Sequence, residues 1–255
     1  RYAASSLAKN KILTRALSSE TSTTKSEEEV LSVRTKTGQT LLHLAAEGGD
    51  IETIKAVMTK NVLDIHTVVT NANQGVLSAA CEKGKLEAVK FLVEEVKMDP
   101  LGTGKETYQE GSYPPLHSAI LSGNIEVVKY LVEQANVSVE YTKKEGQMKP
   151  LLFASFHGKA ESVEYLLEKG ANTSTSINIV DDKQINSLHL AAGYGHVAIV
   201  ALLIDKGQMD PKCLTQKGQT PLDFAMKRSQ LKVIRALADR GVVTEDQMKM
   251  LAIQF

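Results

Sequence analysis

Six histidines, two cysteines and one glycine–lysine loop are the residues of this chain whose chemistry could reach beyond packing. An imidazole can shuttle protons or hold a metal, a thiolate can attack, and a glycine-rich loop ending in lysine can cradle phosphate. Spacing weakens each possibility in turn. His43, His117 and His189 stand directly after a leucine at one equivalent place in a recurring segment, which marks them as framework, and His196 opens a helix in that same pattern. His66 falls in a connection and carries no signal. His157, just before a turn glycine, is the histidine that framework does not explain. Cys81 sits beside a small alanine, as a buried apolar residue would. Neither it nor Cys213 has a CxxC or histidine-rich setting, so no metal is expected. In "LGTGKET" at 101–107, Asp99 stands where the first glycine of a phosphate loop belongs, and Glu106 replaces the magnesium-binding hydroxyl. A carboxylate there repels phosphate. No HExxH, GxSxG or paired-carboxylate motif occurs, so neither catalytic residues nor cofactors are expected. The enzyme reading that survives is a hydrolase or transferase built on His157 and loop residues, and it is the weaker one.

Composition narrows the classes further. The 255 residues are 42% hydrophobic and 24% charged, values of a folded chain. Thirty basic residues balance thirty acidic ones, so no global field draws the chain to nucleic acid or to an anionic membrane. No apolar run approaches the roughly 20 residues that span a bilayer. Two cysteines in so long a chain fit a reducing, intracellular, cytoplasmic setting. Residues 1–19 hold Arg1, Lys9, Lys11 and Arg15 without an acid, a composition shared by transit peptides. The favoured reading is an amphipathic helix of Leu7, Ile12, Leu13, Ala16 and Leu17 docked as a cap. The chain opens with Arg, as a fragment of a longer protein would.

A period organises the rest. Leucine recurs at Leu42, Leu77, Leu116, Leu151, Leu188 and Leu222, and alanine follows three residues later at Ala45, Ala80, Ala119, Ala154, Ala191 and Ala225. Four residues beyond each alanine stands Gly49, Gly84, Gly123, Gly158 or Gly195, with Ser229 in the sixth unit, which predicts a helix stop. Past the stop, Ile51, Ile54 and Val57 recur as Leu86, Val89 and Leu92 and as Ile125, Val128 and Leu131. Steps of three put them on one helical face. Each unit thus reads as a short helix, a tight turn and a longer amphipathic helix. Two helices cannot bury both faces alone, so the units must stack.

The segments "GQTLLHLAAEGGDIETIKAV" at 38–57, "PPLHSAILSGNIEVVKYLVEQ" at 114–134, "SLHLAAGYGHVAIVALLIDKG" at 187–207 and "GQTPLDFA" at 218–225 resemble ankyrin repeats. The resemblance implies an all-α solenoid of about six helix-turn-helix repeats with β-hairpin-like loops, over residues 37–243. A helical cap and polar linker at 1–36 and a capping helix at 244–255, opened by a capping box at Thr244 to Gln247, complete the expected organisation. It also implies that His43, His117 and His189 bond neighbouring loop backbone. Departures from the pattern are informative. Asn73 should take the left-handed conformation of a turn glycine. Pro114 and Lys149 stand where Thr40 and Thr220 cap their helices. Connections at 98–112 and 172–184 are long.

In such repeats, loop residues before the first helix and the two residues before the turn glycine point into a concave groove. Outer units are polar there, with Asn71, Gln74, Glu82 and Lys83 early and Gln216, Lys217, Lys227 and Arg228 late. The middle units instead place Tyr113 and Leu121, then Met148, Phe156 and His157, then Ile185 and Tyr194. Large apolar groups facing solvent mark an interaction site. The competing expectation is that the two long connections fold over and bury them. The function expected is a non-catalytic module, a monomer that binds a protein or peptide partner in the groove, with no small-molecule substrate. The alternative is a recruiting domain of a larger protein, a pathogen effector or signalling scaffold, whose activity lies elsewhere.

The recurring alanines set a measurable limit. Replacing Ala119 or Ala191 with leucine should overpack the helix contact and cost about 1–3 kcal/mol. Denaturant midpoints equal to the parent's would show that these alanines do not face neighbouring helices.

Overall fold

A computed structural model describes residues 31–103, 105, 112–142, 147–174, 176–179 and 182–243. The expected helix in 1–19 and the capping helix from Thr244 lie outside the described residues. The chain divides into two compact units, Arg1–Val137 and Ser138–Phe255.

In the first unit, three helix pairs follow one another: α1 (Leu41–Gly48) with α2 (Ile51–Thr59), α3 (Val76–Glu82) with α4 (Leu86–Glu94), and α5 (Pro115–Ser122) with α6 (Ile125–Glu133). The short helices α1, α3 and α5 pack side by side, and each longer helix packs on its own partner. The leucine–alanine pairs form the seam, with Leu42, Ala45, Leu77, Ala80, Leu116 and Ala119 all buried. The second unit repeats the plan with α7 (Pro150–Phe156) and α8 (Ala160–Glu168), α9 (Ser187–Gly193) and α10 (Val197–Asp205), and α11 (Pro221–Lys227) and α12 (Leu231–Ala238). Its seam is Leu151, Ala154, Leu188, Ala191, Leu222 and Ala225. Six pairs at the predicted spacing leave the chain an all-α solenoid.

One element departs from helix. The connection at 172–184 contributes to an antiparallel hairpin of β1 (Ser176–Ile179) and β2 (Asp182–Asn186), in which Ile177 pairs with Ile185 and Ser176 with Asn186. The hairpin delivers Asn186 to the start of α9, where its carboxamide oxygen accepts from Leu188 N and His189 N at 3.0 and 3.2 Å. Thr220 caps α11 in the same way, reciprocally with Asp223. Pro114 and Lys149 supply no side-chain cap to α5 and α7.

Within each unit, side chains stitch neighbouring repeats together. His43 Nε2 lies 3.0 Å from the Gln74 carbonyl, and His189 Nε2 3.1 Å from that of Gln219. The residues that open α6 and α10 reach back to the turns of the preceding repeats: Asn124 Nδ2 donates to Gly84 O at 2.9 Å and His196 Nε2 lies 3.1 Å from Phe156 O. These bonds explain the turn glycines. Gly158 has φ +71°, and a Cβ on it would lie 2.7 Å from His196 Cε1. At Gly195 the equivalent clash is with Gln230. The glycine is therefore needed twice, for its backbone and for the stitching side chain of the following repeat. Ser229 keeps the left-handed conformation at φ +53°, as Asn73 does at +65°. No further repeat among the described residues presses on Ser229, and a side chain fits there.

Gly158→Ala should lower stability by about 1–3 kcal/mol through strain and the lost His196 contact, whereas Ser229→Gly should be neutral or raise it by up to about 1 kcal/mol. Equal denaturant midpoints for Gly158→Ala and the parent would contradict this. Burial holds the His43 imidazole down to about 4 in the fold, against 6.5 for a free histidine. The unfolded chain takes up this proton below about 6.5 and the folded chain only near 4, so acid in that window favours unfolding. Stability should fall as pH drops from about 6.5 to about 4, with a shallower slope in His43→Gln; identical slopes would refute the assignment.

Candidate partner-binding surface

The two residues before each turn glycine sit at the C-terminal ends of the short helices, and the units differ there. In the first two repeats of the first unit the row is charged, and in the third it carries Leu121 and Ser122. Gln39 bonds Glu47, Gln74 bonds Glu82, and Lys83 pairs with Glu82 at 2.7 Å. Burial raises the Glu47 carboxyl above its ordinary range, Lys83 opposing the rise and Glu82 adding to it.

In the second unit the row is aromatic. Phe156 ends α7 and His157 caps it, Tyr194 caps α9, and Arg228 caps α11. Because α9 packs between α7 and α11, the three ends come together. The Phe156 and Tyr194 rings meet at 4.5 Å between centroids, edge on. His157 lies 4.3 Å from Phe153 and 4.8 Å from Phe156. The Arg228 guanidinium lies over the Tyr194 ring, 4.0 Å from its centroid, in a cation–π contact. Tyr194 remains 38% exposed. Burial depresses the His157 imidazole, with Lys159 and then His196 adding to the effect, which favours its neutral form.

The predicted site residues fall into three groups. Phe156, His157 and Tyr194 are brought together as described. Tyr113 and Leu121 belong to the first unit and are half-buried, and the Tyr113 carbonyl accepts from Ser118 Oγ at 3.1 Å. Ile185 is a correction. Expected to face solvent, it is only 2% exposed and forms a core cluster with Leu152 and Leu190, against which Met148, Phe156 and Phe224 pack. The pairing of β2 with β1 turns Ile185 toward α9, so it supports the surface from beneath. Phe156 consequently has two roles, one ring edge in the core and one toward Tyr194.

Sequence reading missed Phe153 and Phe224 as members of the aromatic cluster and Arg228 as the cover of Tyr194. A signal existed. Three residues before Phe156 and its equivalents, the repeats carry Leu44, Ala79 and Ser118 in the first unit but Phe153, Leu190 and Phe224 in the second.

Other candidate chemistry resolves into structure. In the loop at 101–107, the Asp99 carboxylate accepts from Leu101 N at 2.8 Å and Lys105 Nζ donates to the Thr67 carbonyl at 3.3 Å. Burial pushes the Cys81 thiol far up, away from thiolate chemistry. No group of metal-holding side chains occurs among the described residues, nor any helix long and apolar enough to cross a membrane. On the longer helices, Glu52–Lys55, Glu87–Lys90 and Glu126–Lys129 pairs recur, but α10 carries Ala198 and Ala201 at these places. An open groove of about 510 Å³ results, floored by Ala160, Ala198, Ala201 and Leu202. On its rim Lys206 pairs with Glu164 and Glu168, and Asp205 with Arg240.

Comparison with known proteins agrees with the geometry. A family profile described as ankyrin repeats in three copies matches residues 2–103, 101–176 and 151–247. No curated protein matches the chain. Among solved structures, the human ASB11 ankyrin repeat domain is similar at 22% identity and TM-score 0.63, with 91% of this chain and 95% of that one covered. Similar too is a chain from the complex of the predatory endopeptidase Bd0816 of Bdellovibrio bacteriovorus with the immunity protein Bd3460. It is 27% identical with TM-score 0.59, and 81% of this chain and 99% of that chain are covered. Three stacked helix pairs with leucine–alanine seams in each unit, and a family match over most of the length, make this chain a member of the ankyrin-repeat family.

Proposed function

We propose that the chain is a non-catalytic recognition module that takes a protein or peptide partner on the aromatic row of its second unit, with Tyr194, Phe156 and His157 as the contact residues. The observation that carries this reading is Tyr194. A large aromatic ring is left partly open to solvent, yet is held between Phe156 and Arg228. A side chain already fixed loses little entropy on binding, and aromatic residues are the commonest anchors of protein interfaces. Met148 and Ile185 hold the row in place from below. The similar chain in an endopeptidase–immunity protein complex supports a protein as the kind of partner for such a fold. Paired charges on the first unit's row suit solvent, and the contrast between the two rows favours the second as the contact face.

The experiment is capture from cell extract by the parent chain and by Tyr194→Ala, followed by affinity measurement on the captured protein. Tyr194→Ala should weaken binding by roughly 2 kcal/mol or more while leaving stability nearly unchanged. Phe156→Ala should weaken binding as well but also lower stability, because the ring packs on the Leu152–Ile185–Leu190 cluster. Full-strength binding by Tyr194→Ala contradicts the reading. So does a large loss of melting temperature in that variant, which would make the ring structural.

A further inference from the structure

The charges around the aromatic row point to the chemistry of the partner. The three turns that carry the row, 156–160, 193–197 and 226–230, contain Lys159, Lys227 and Arg228 and no aspartate or glutamate. The next acid along the chain, Glu161, borders the groove between the longer helices instead. Elsewhere on the described surface, Lys55, Lys83, Lys90, Lys129, Lys149, Lys206 and Arg240 each make an ion pair with a carboxylate. Lys159, Lys227 and Arg228 make none among the described residues. His157 adds no compensating negative charge.

Arg228 is the informative member. Its guanidinium lies over the face of Tyr194, with the carbon 4.0 Å from the ring centroid. No hydrogen bond or ion pair among the described residues takes up its N–H donors, and a guanidinium with free donors can receive a carboxylate through two parallel hydrogen bonds. A carboxylate bound there would pair with Arg228 while its carrier chain lies along the rings of Tyr194 and Phe156. Lys159 and Lys227, on the turns to either side, extend the positive field along the row.

We infer that the occupant of this surface is an acidic peptide segment carrying an aromatic side chain: the ring packs against Tyr194 and Phe156, and flanking carboxylates pair with Arg228, Lys227 and Lys159. This rests on the recognition role proposed above and adds the sign of the charge and the type of anchor. Opposite charge at the rim speeds encounter, and the aromatic contact slows release.

The test uses the full chain and immobilised short peptides of equal length. One set holds a central Phe or Tyr flanked by Asp and Glu, a second the same ring flanked by Lys and Arg, a third the acidic flanks without the ring. The chain should retain the first set most strongly, and retention should fall as salt is raised. Arg228→Glu and Lys227→Glu, both at exposed positions, should each weaken that binding about tenfold or more, and Tyr194→Ala likewise, with circular dichroism unchanged. Equal retention of acidic and basic aromatic peptides, still dependent on Tyr194, overturns the charge assignment while leaving the recognition role intact. Acidic peptides retained equally without the ring overturn the aromatic anchor. Retention of no peptide overturns the inference, and the recognition role then stands or falls on the Tyr194→Ala capture experiment.

Discussion

A pair of helices cannot bury both its faces, and this constraint shapes nearly every residue of the chain. Each pair borrows its partner surface from the next, so the contact must repeat in register from unit to unit. Leucine and alanine at fixed places make that contact thin enough to close, and buried alanines such as Ala119 and Ala191 leave no room for a larger side chain. The apolar seam alone would permit sliding. Register comes from directional bonds across repeats, such as His43 to Gln74, His189 to Gln219 and His196 to Phe156. Burial favours the neutral form of the His43 imidazole, whose ring nitrogens are committed to Thr40 and Gln74.

Because framework demands so much at some places, it demands less at others. The residues before each turn glycine lie at the helix ends, outside the leucine–alanine seam, and vary from repeat to repeat, although Phe156 also packs on the core. The first unit spends them on Glu47, Glu82 and Lys83, which neutralise one another through hydrogen bonds and ion pairs. The second spends them on Phe156, His157, Tyr194 and Arg228, which touch ring to ring and cation to ring. Similar scaffolds thus present chemically different faces. Non-helical backbone is added where it helps, in the hairpin that sets Ile185 under the aromatic row and Asn186 on the start of α9.

How far this could be read from the sequence depends on the range of the interactions. Helix pairs, turns and their exceptions are local or strictly periodic. Asn73 and Ser229 at positive φ, and uncapped starts at Pro114 and Lys149, follow from residue type at a known place in the period. Ile185 was not legible, because its direction depends on pairing with Ile177 across the hairpin, and a shift of one residue would turn it outward. The stacking of Arg228 on Tyr194 was likewise hidden. Each looks like an independent surface residue along the chain, and only the packing of α9 on α11 joins them. Phe156 was legible as a variable position but not as a residue shared between core and surface.

The central claim, that the partner lies on the aromatic row of the second unit, is tested most directly by replacing Tyr194 with a photoreactive benzoyl-phenylalanine and, in a separate chain, placing the same group at Lys83 on the charged row. Both positions cap short helices at equivalent places in their repeats. After irradiation in cell extract, the account predicts a discrete cross-linked partner from position 194 and none from position 83. Cross-linking to the same partner from position 83, with none from 194, would contradict it.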